Sequence, residues 1–393
     1  MELLTFLQNE LQALKQDNLL RQCVGIDSPQ GPTVRMPNGT EKVLFCSNNY
    51  LNLANDRRIR AAVINTVEKY GFGATASRLI SGTMTPHTEL ENAFAKFLRK
   101  EAALYFPSGW CANQALLTTL PQKGDLVLID RHDHASIIDA VKTSEAEFRT
   151  YRRNQTDRLE KYLSATGYNR RFIVTESVFS MDGDTANLAE LVELKNKYNA
   201  TLIVDEAHSV GCFGQTGAGL CEQESILEQV DIIVAPLGKA VAATGGIIAG
   251  PKALKDYLIN RARPFIYTTA PSPVVAAAAL KSVEIIQTEP QRRKRLGDNA
   301  TFLRNAFTDM GLDINNSTTQ IIPVIIGDSA KAMKVSEKLF ETGFFLSAIR
   351  PPTVPPGSAR LRVSVQTDHT HRHLEGLCEA LGKVLGSQLK TPG

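Results

Sequence analysis

One lysine stands out by its surroundings. In Asp231–Gly250, DIIVAPLGKAVAATGGIIAG, the apolar runs Ile232–Val234 and Ile247–Ala249 flank a small-residue loop whose single cation is Lys239. Such runs read as buried strands, so Lys239 sits on a turn between core elements. An ammonium near a core has its charged form disfavoured, which lowers its pKa and suits the amine to Schiff-base chemistry. An isolated lysine beside a strand more often snorkels to solvent, so its companions must decide.

Leu202–His208, LIVDEAH, ends an apolar strand in Asp205 and brings His208 three residues later. A buried carboxylate there needs a cationic partner, unless it only caps the next helix. Ser108-Gly109-Trp110 stands between a strand and a helix, where glycine lets backbone N–H groups approach an anion; a tight turn explains the same triplet. His132 and His134 follow the apolar strand Leu126–Ile129. Neither this pair nor His369, His371 and His373 has the further ligands a metal centre needs, and the latter three read as a solvated helix start. In Thr175–Asp184, TESVFSMDGD, a turn accounts for Met181-Asp182-Gly183 and leaves Ser180 for a ligand. Arg360 and Arg362, two apart in a short strand, share a face; one can hold a carboxylate bidentately, or both can be solvated cations. Jointly, a phosphate cradle, a strand-end acid, histidines, a loop lysine and an arginine are the set that pyridoxal phosphate requires: a lysine to join it, an acid to keep its ring nitrogen protonated, a cradle for its phosphate.

The elements that must position these residues alternate. Strands are expected at Val43–Ser47, Ala103–Phe106, Leu126–Ile129, Phe172–Val174 and Leu202–Val204, and helices at Thr88–Leu98, Cys111–Leu120, Ala135–Val141 and Leu188–Tyr198. That alternation predicts an α/β fold with a mainly parallel sheet covered on both faces, ligands lying beyond the carboxyl ends of its strands. An amphipathic helix within Met1–Arg21 and a Gly/Pro/Asn-rich loop or hairpin over Gly25–Gly39 precede it. A helical region from Pro273 to about Met310, interrupted near Glu289-Pro290, leads into a smaller α+β part with strands Gln320–Ile326, Phe344–Ile349 and Leu361–Val365, helix Ala332–Thr342 and a terminal helix. The basic run Arg292–Arg295 reads as a solvated helix face.

At 393 residues, 43% hydrophobic and 22% charged, the chain has the composition of an ordinary globular protein with room for two domains. A formal charge of +3 gives no polyanion-binding surface, so nucleic acid is not expected. The six scattered cysteines argue against a disulfide framework and for a reducing cytoplasm. No stretch of membrane-spanning length is free of charges or breakers, and the N-terminus lacks the features of a signal peptide.

From about Phe45 to Leu385 the sequence resembles the α-oxoamine synthases, pyridoxal-phosphate enzymes of the fold-type I aminotransferase superfamily. The motifs that carry the likeness are SNNYLNLAND, SRLISGTMTPHTELE, FPSGWCANQALL, DRHDHASIIDA, TESVFSMDGD, LIVDEAHSVGCFGQTGAGL, LGKA, RARPFIYTTAPSP and RPPTVPPGSARLRVSV. The resemblance implies an N-terminal helix and arm over residues 1–45, a large cofactor domain with a seven-stranded sheet over 46–285, and a small C-terminal domain over 286–393. It implies that Lys239 joins the cofactor and moves the substrate α-proton, that Asp205 pairs with the ring nitrogen, and that His134 stacks on the ring. His208 and Ser180 would bond the ring oxygen. Gly109 and Trp110 would take the phosphate, joined by Thr268 or Thr269 of a neighbouring subunit in a homodimer. Arg362 would bind the amino-acid carboxylate, with Arg360 as the alternative, and Arg21 and Asn49 would lie near the substrate. The implied reaction is a decarboxylative condensation of L-alanine with a pimeloyl thioester, carried on coenzyme A or an acyl carrier protein.

The sequence departs from the family at Pro236, where a Thr or Ser hydroxyl usually meets the phosphate, and at Trp110, where a smaller aromatic is common. Pro236 has neither hydroxyl nor N–H, so a weaker phosphate grip is expected unless Thr244, Thr268 or Thr269 compensates. A synthase using glycine or serine with another acyl-CoA is the alternative. A non-catalytic partner subunit is disfavoured because Lys239, Asp205 and His208 are all present.

Overall fold

The computed structural model describes residues 2–153 and 155–388, so Met1 of the expected first helix and residues 389–393 lie outside it. Its strands are β1 (Thr33–Arg35), β2 (Glu41–Leu44), β3 (Ala102–Phe106), β4 (Leu126–Asp130), β5 (Glu147–Tyr151), β6 (Arg171–Glu176), β7 (Thr201–Asp205), β8 (Ile232–Pro236), β9 (Gly246–Gly250), β10 (Ile321–Gly327), β11 (Phe344–Phe345), β12 (Ser347–Ile349) and β13 (Ala359–Ser364). Seven of them form one sheet in the order β3-β9-β8-β7-β6-β4-β5. The run from β8 to β5 is parallel, and β9 is antiparallel to both of its neighbours. β4, β8 and β9 are buried along their whole length, as strands built from Val, Ile and Leu must be when helices cover both faces. The helices Gly109–Leu117 and Ala135–Thr143 share one core with Phe106, Val127, Ile129, Val174 and Ile248. Each such side chain withdrawn from water contributes about 1.5–3 kcal/mol.

The chain divides into two compact units: Asn48–Ser180 with Asp184–Arg295, and Met1–Ser47 with Met181–Gly183 and Leu296–Gly393. The first holds the seven-stranded sheet. The second holds two three-stranded sheets, β1-β2-β11 and β10-β13-β12, with the helices Ser329–Glu341 and His371–Gln388. The expected architecture, an α/β part with a smaller α+β part, is the one observed.

Three local expectations are corrected, and one helix is added. The strand expected over Phe344–Ile349 switches sheets at buried Leu346, whose carbonyl accepts a 2.7 Å bond from Ser336 Oγ; β11 then pairs with β2 and β12 with β13. His369 is not part of a solvated helix start. It is buried against Phe45 with ring centroids 4.0 Å apart, Nδ1 accepts from the Gln366 N–H at 3.1 Å, and burial lowers its pKa to about 3. Arg292 and Arg293 likewise leave the solvated face: Arg292 Nη1 donates to Leu51 O at 3.0 Å and Arg293 Nη2 to Gln215 O at 2.6 Å. A helix over Arg57–Tyr70, unmarked by the sequence pattern, starts where Asp56 accepts the Arg58 N–H at 2.9 Å.

Candidate active site

The neighbouring strands β4, β6, β7 and β8 end in Asp130, Glu176, Asp205 and Pro236, a row of one sheet edge rich in carboxylates. Three of these, Glu176, Asp205 and Pro236, line a cavity of about 360 Å³ in the larger unit, together with Ser108, Gly109, Trp110, Asn113, His134, Ser136, Lys239 and Thr244. That volume lies at the small end of cofactor and ligand sites. Of the residues singled out in the sequence, Lys239, Asp205, His134, Gly109 and Trp110 therefore meet around one space.

Lys239 is carried by the loop between β8 and β9. The loop is closed at its base by a 2.9 Å bond from Leu237 N to Gly245 O and drawn in by bonds from Ala243 N to Leu237 O and Ala242 N to Lys239 O. Gly245 has φ +128°, and a Cβ there would lie 2.3 Å from the Tyr105 ring, so no larger residue closes this loop. Opposite, the helix Gly109–Leu117 points its N-terminus at the cavity, with Ser108 Oγ accepting the Cys111 N–H at 3.0 Å. A Cβ on Gly109 would come within 2.7 Å of Pro236 Cβ; only glycine lets these backbones approach. Free N–H groups and the positive helix end suit a phosphate.

Asp205 is 3% exposed and tied on both oxygens, by Asn113 Nδ2 to Oδ2 and by the Ala207 N–H to Oδ1, each at 2.9 Å. Burial raises its pKa, while Lys239, Asn113, His134 and the Ala207 N–H oppose that rise. His134 caps the helix Ala135–Thr143, its Nδ1 2.8 Å from Ser136 Oγ, with its ring edge-on to Trp110 at 6.2 Å. Desolvation lowers its pKa, and nearby Lys239 adds to this against the pull of Asp205.

The other expected residues lie elsewhere. His208 is buried and holds Tyr50 Oη at 2.8 Å through Nδ1; neither it nor buried Ser180 lines the cavity. Thr268 and Thr269 are also outside its lining, and Thr269 bridges to Ser77. Asn49 shapes a turn, its Oδ1 accepting from Leu53 N at 3.0 Å and Ala54 N at 3.2 Å. Arg21, Arg360 and Arg362 belong to the second unit. There Arg21 Nη2 donates to Pro351 O at 3.3 Å, Arg360 is paired with Asp182, and Arg362 Nη1 donates to Ser364 Oγ at 2.8 Å. Arg360 and Arg362 are buried, so the solvated-cation reading of that strand is set aside.

Sequence reasoning passed over Asn113, Ser136, Glu176 and Tyr50. Asn113 links the site, donating to both Ser136 Oγ at 3.0 Å and Asp205. Its signal was a polar residue on the apolar face of a helix. Glu176 stood at a strand end as plainly as Asp205 did.

The aminotransferase class I and II family model matches residues 40–381. A curated 8-amino-7-oxononanoate synthase of Symbiobacterium thermophilum is 42% identical, with 98% of each chain covered, and one of Geobacter sulfurreducens is 41% identical over 95% of this chain and 96% of that protein. A solved serine palmitoyltransferase of S. paucimobilis, described as having a PLP-myriocin aldimine bound, superposes with a TM-score of 0.92 at 29% identity, covering 98% of this chain and 100% of that one.

Proposed function

We propose, from the fact that this chain belongs to the aminotransferase class I and II family, that it condenses L-alanine with a pimeloyl thioester to form 8-amino-7-oxononanoate, carbon dioxide and the free thiol, using pyridoxal phosphate. The observation that carries the reading is the cavity that gathers Lys239, Asp205, His134 and the N-terminus of the Gly109–Leu117 helix. The residues present fit that cofactor: a volume of about 360 Å³, a cradle where glycine is sterically required, and an amine and a buried acid on the same walls. Bound there, pyridoxal phosphate supplies a conjugated ring that accepts the electron pair left on the amino-acid α-carbon.

The chain supplies position and protonation state. The backbone N–H groups at Gly109 and Trp110 hold the phosphate. Asp205, fixed by Asn113 and the Ala207 N–H, holds a proton at the ring nitrogen. His134 is braced by Ser136 to cover the ring face, and Lys239 Nζ takes and returns the α-proton. Tyr50 orients His208; the family likeness assigns His208 and Ser180 to the ring oxygen, although neither lines the cavity here. By its likeness to the family, Arg362 is the residue assigned to the amino-acid carboxylate, with Arg360, which is paired with Asp182, as the alternative. The α-carbon then attacks the thioester carbonyl, the thiol leaves, and the resulting β-keto acid loses carbon dioxide and gains a proton.

Identity of 41–42% to synthases named for 8-amino-7-oxononanoate, against 29% to a serine palmitoyltransferase, supports alanine over serine. The thiol carrier is coenzyme A or an acyl carrier protein. A homodimer is supported by exposed apolar side chains at Phe72, Ile80 and Tyr267, next to the Ser77–Thr269 bridge that would bring Thr268 and Thr269 to a second subunit's cofactor. Six free thiols suit a reducing cytoplasm. Thioester-dependent thiol release, measured with alanine, glycine and serine against pimeloyl-coenzyme A, tests the reading. Alanine is expected to lead clearly; preference for glycine or serine overturns it.

A further inference from the structure

Glu176 has no part in the mechanism above, yet it is the most exactingly placed group beside it. It ends β6 in register with Asp205 at the end of β7, and residues matched in parallel strands send their side chains to the same face. Both line the cavity with Lys239, at 1% and 3% exposure. Their hydrogen bonding differs. Asp205 has a donor on each oxygen, whereas Glu176 Oε2 has no partner among the described residues. Two neighbouring buried carboxylates do not both ionise, and the charge settles on the one whose oxygens are satisfied.

The charged and titratable groups facing Glu176 agree. Burial and then Asp205 push its pKa up to about 8, while Lys239, the His134 backbone and Arg153 oppose them. Asp133, also buried, accepts the Glu176 N–H at 3.0 Å and itself has a raised pKa, chiefly from burial.

We propose that Glu176 is held protonated beside ionised Asp205 and offers its carboxyl O–H as a hydrogen-bond donor to pyridoxal phosphate. It acts as a positioning residue that keeps the acid pair at one negative charge. This rests on the cofactor reading of the cavity. A buried carboxyl with its proton is a donor; the same group without it would present a bare anion and a second negative charge to the ligand.

The test compares the wild type with Glu176→Gln, which keeps a neutral donor, and Glu176→Met, which keeps bulk alone. Cofactor dissociation constants are read by absorbance titration on either side of about pH 8, the value toward which Glu176 is pushed. Infrared difference spectra of the cofactor-stripped proteins report the protonated carboxyl directly. The wild type is expected to lose affinity as pH rises through that range. Glu176→Gln should match it at neutral pH without the added loss, and Glu176→Met should bind about tenfold more weakly throughout. A protonated-carboxyl band should be present in the wild type and absent from Glu176→Gln. Weakening of Glu176→Gln to the level of Glu176→Met means the anion is what matters and overturns the proposal; so does equal affinity of all three. If Glu176→Met fails to fold, the glutamine variant and the infrared band still decide. If no protein binds cofactor, the reading of the cavity falls and this role with it, and the band, read without cofactor, tells that failure from loss of the proton.

Discussion

Pro236 and Gly109 illustrate how one side chain can set the limits of a site. They touch so closely that a Cβ on Gly109 would lie 2.7 Å from the proline, so the helix N-terminus approaches the strand end only because one residue is small. The missing hydroxyl at residue 236 is then a loss in the cradle itself. Pro236→Thr is expected to tighten cofactor binding about tenfold, the worth of one bond to a charged group, in an equilibrium titration; an unchanged or larger dissociation constant would show that Thr244 or a second subunit already fills the role. Glu176 gives a pH prediction for stability. Its pKa is raised from 4.5 to about 8 in the folded chain, so the folded state binds the extra proton between those values. Stability should therefore fall as pH rises through that window, by up to about 1.4 kcal/mol per pH unit. Denaturant unfolding should find that slope reduced in Glu176→Gln; the same slope in both proteins refutes the assignment. Lys239 and Asp205 were legible because each ends or interrupts an apolar run. Glu176 and Asn113 were not, since their importance depends on strand register and helix rotation, which no local pattern states.

Among the elements, the alternation of strands and helices was readable because apolar runs of four to six residues recur between amphipathic stretches. The direction of β9 was not: GIIAG is equally apolar read either way, and only its insertion between β3 and β8 makes it antiparallel. The helix Arg57–Tyr70 escaped notice because Ile59 and Thr66 are its buried residues, leaving no continuous apolar stripe. The helix Thr85–Phe97 is fixed by a feature no periodicity reveals. Glu91, 2% exposed, pairs with Arg78 at 2.9 Å and Lys255 at 2.8 Å and accepts the Tyr105 N–H at 3.1 Å. Removing it strands Arg78, whose side chain is 5% exposed. Glu91→Ala should cost about 3 kcal/mol in chemical denaturation, well above a surface pair; a cost below about 1 kcal/mol would mean the cations find other partners.

At the scale of the molecule, among the described residues no helix is long and apolar enough to cross a membrane. Apart from the helix Leu3–Gln16, none of whose residues is buried, exposed apolar side chains gather at Phe72, Ile80 and Tyr267, 75%, 81% and 71% exposed, on segments tied together by the Ala270 N to Ala76 O bond and the Ser77–Thr269 bridge. Burying those side chains in a second copy predicts that Ile80→Asp shifts the protein toward monomer in sedimentation and weakens cofactor retention with it. A variant that sediments as the wild type does would place the interface elsewhere.

The division into units carries one more consequence. The chain passes from one to the other after Ser47, Ser180, Gly183 and Arg295, so neither unit is a continuous polypeptide. A crossover before Ser47 or after Arg295 exchanges a piece of the smaller unit alone, and one anywhere between them divides both. Three residues, Met181–Gly183, are lent by the middle of one unit to the other, and through Asp182 they bind Arg360. Transferring the smaller unit whole therefore takes all three of its segments, Met1–Ser47, Met181–Gly183 and Leu296–Gly393.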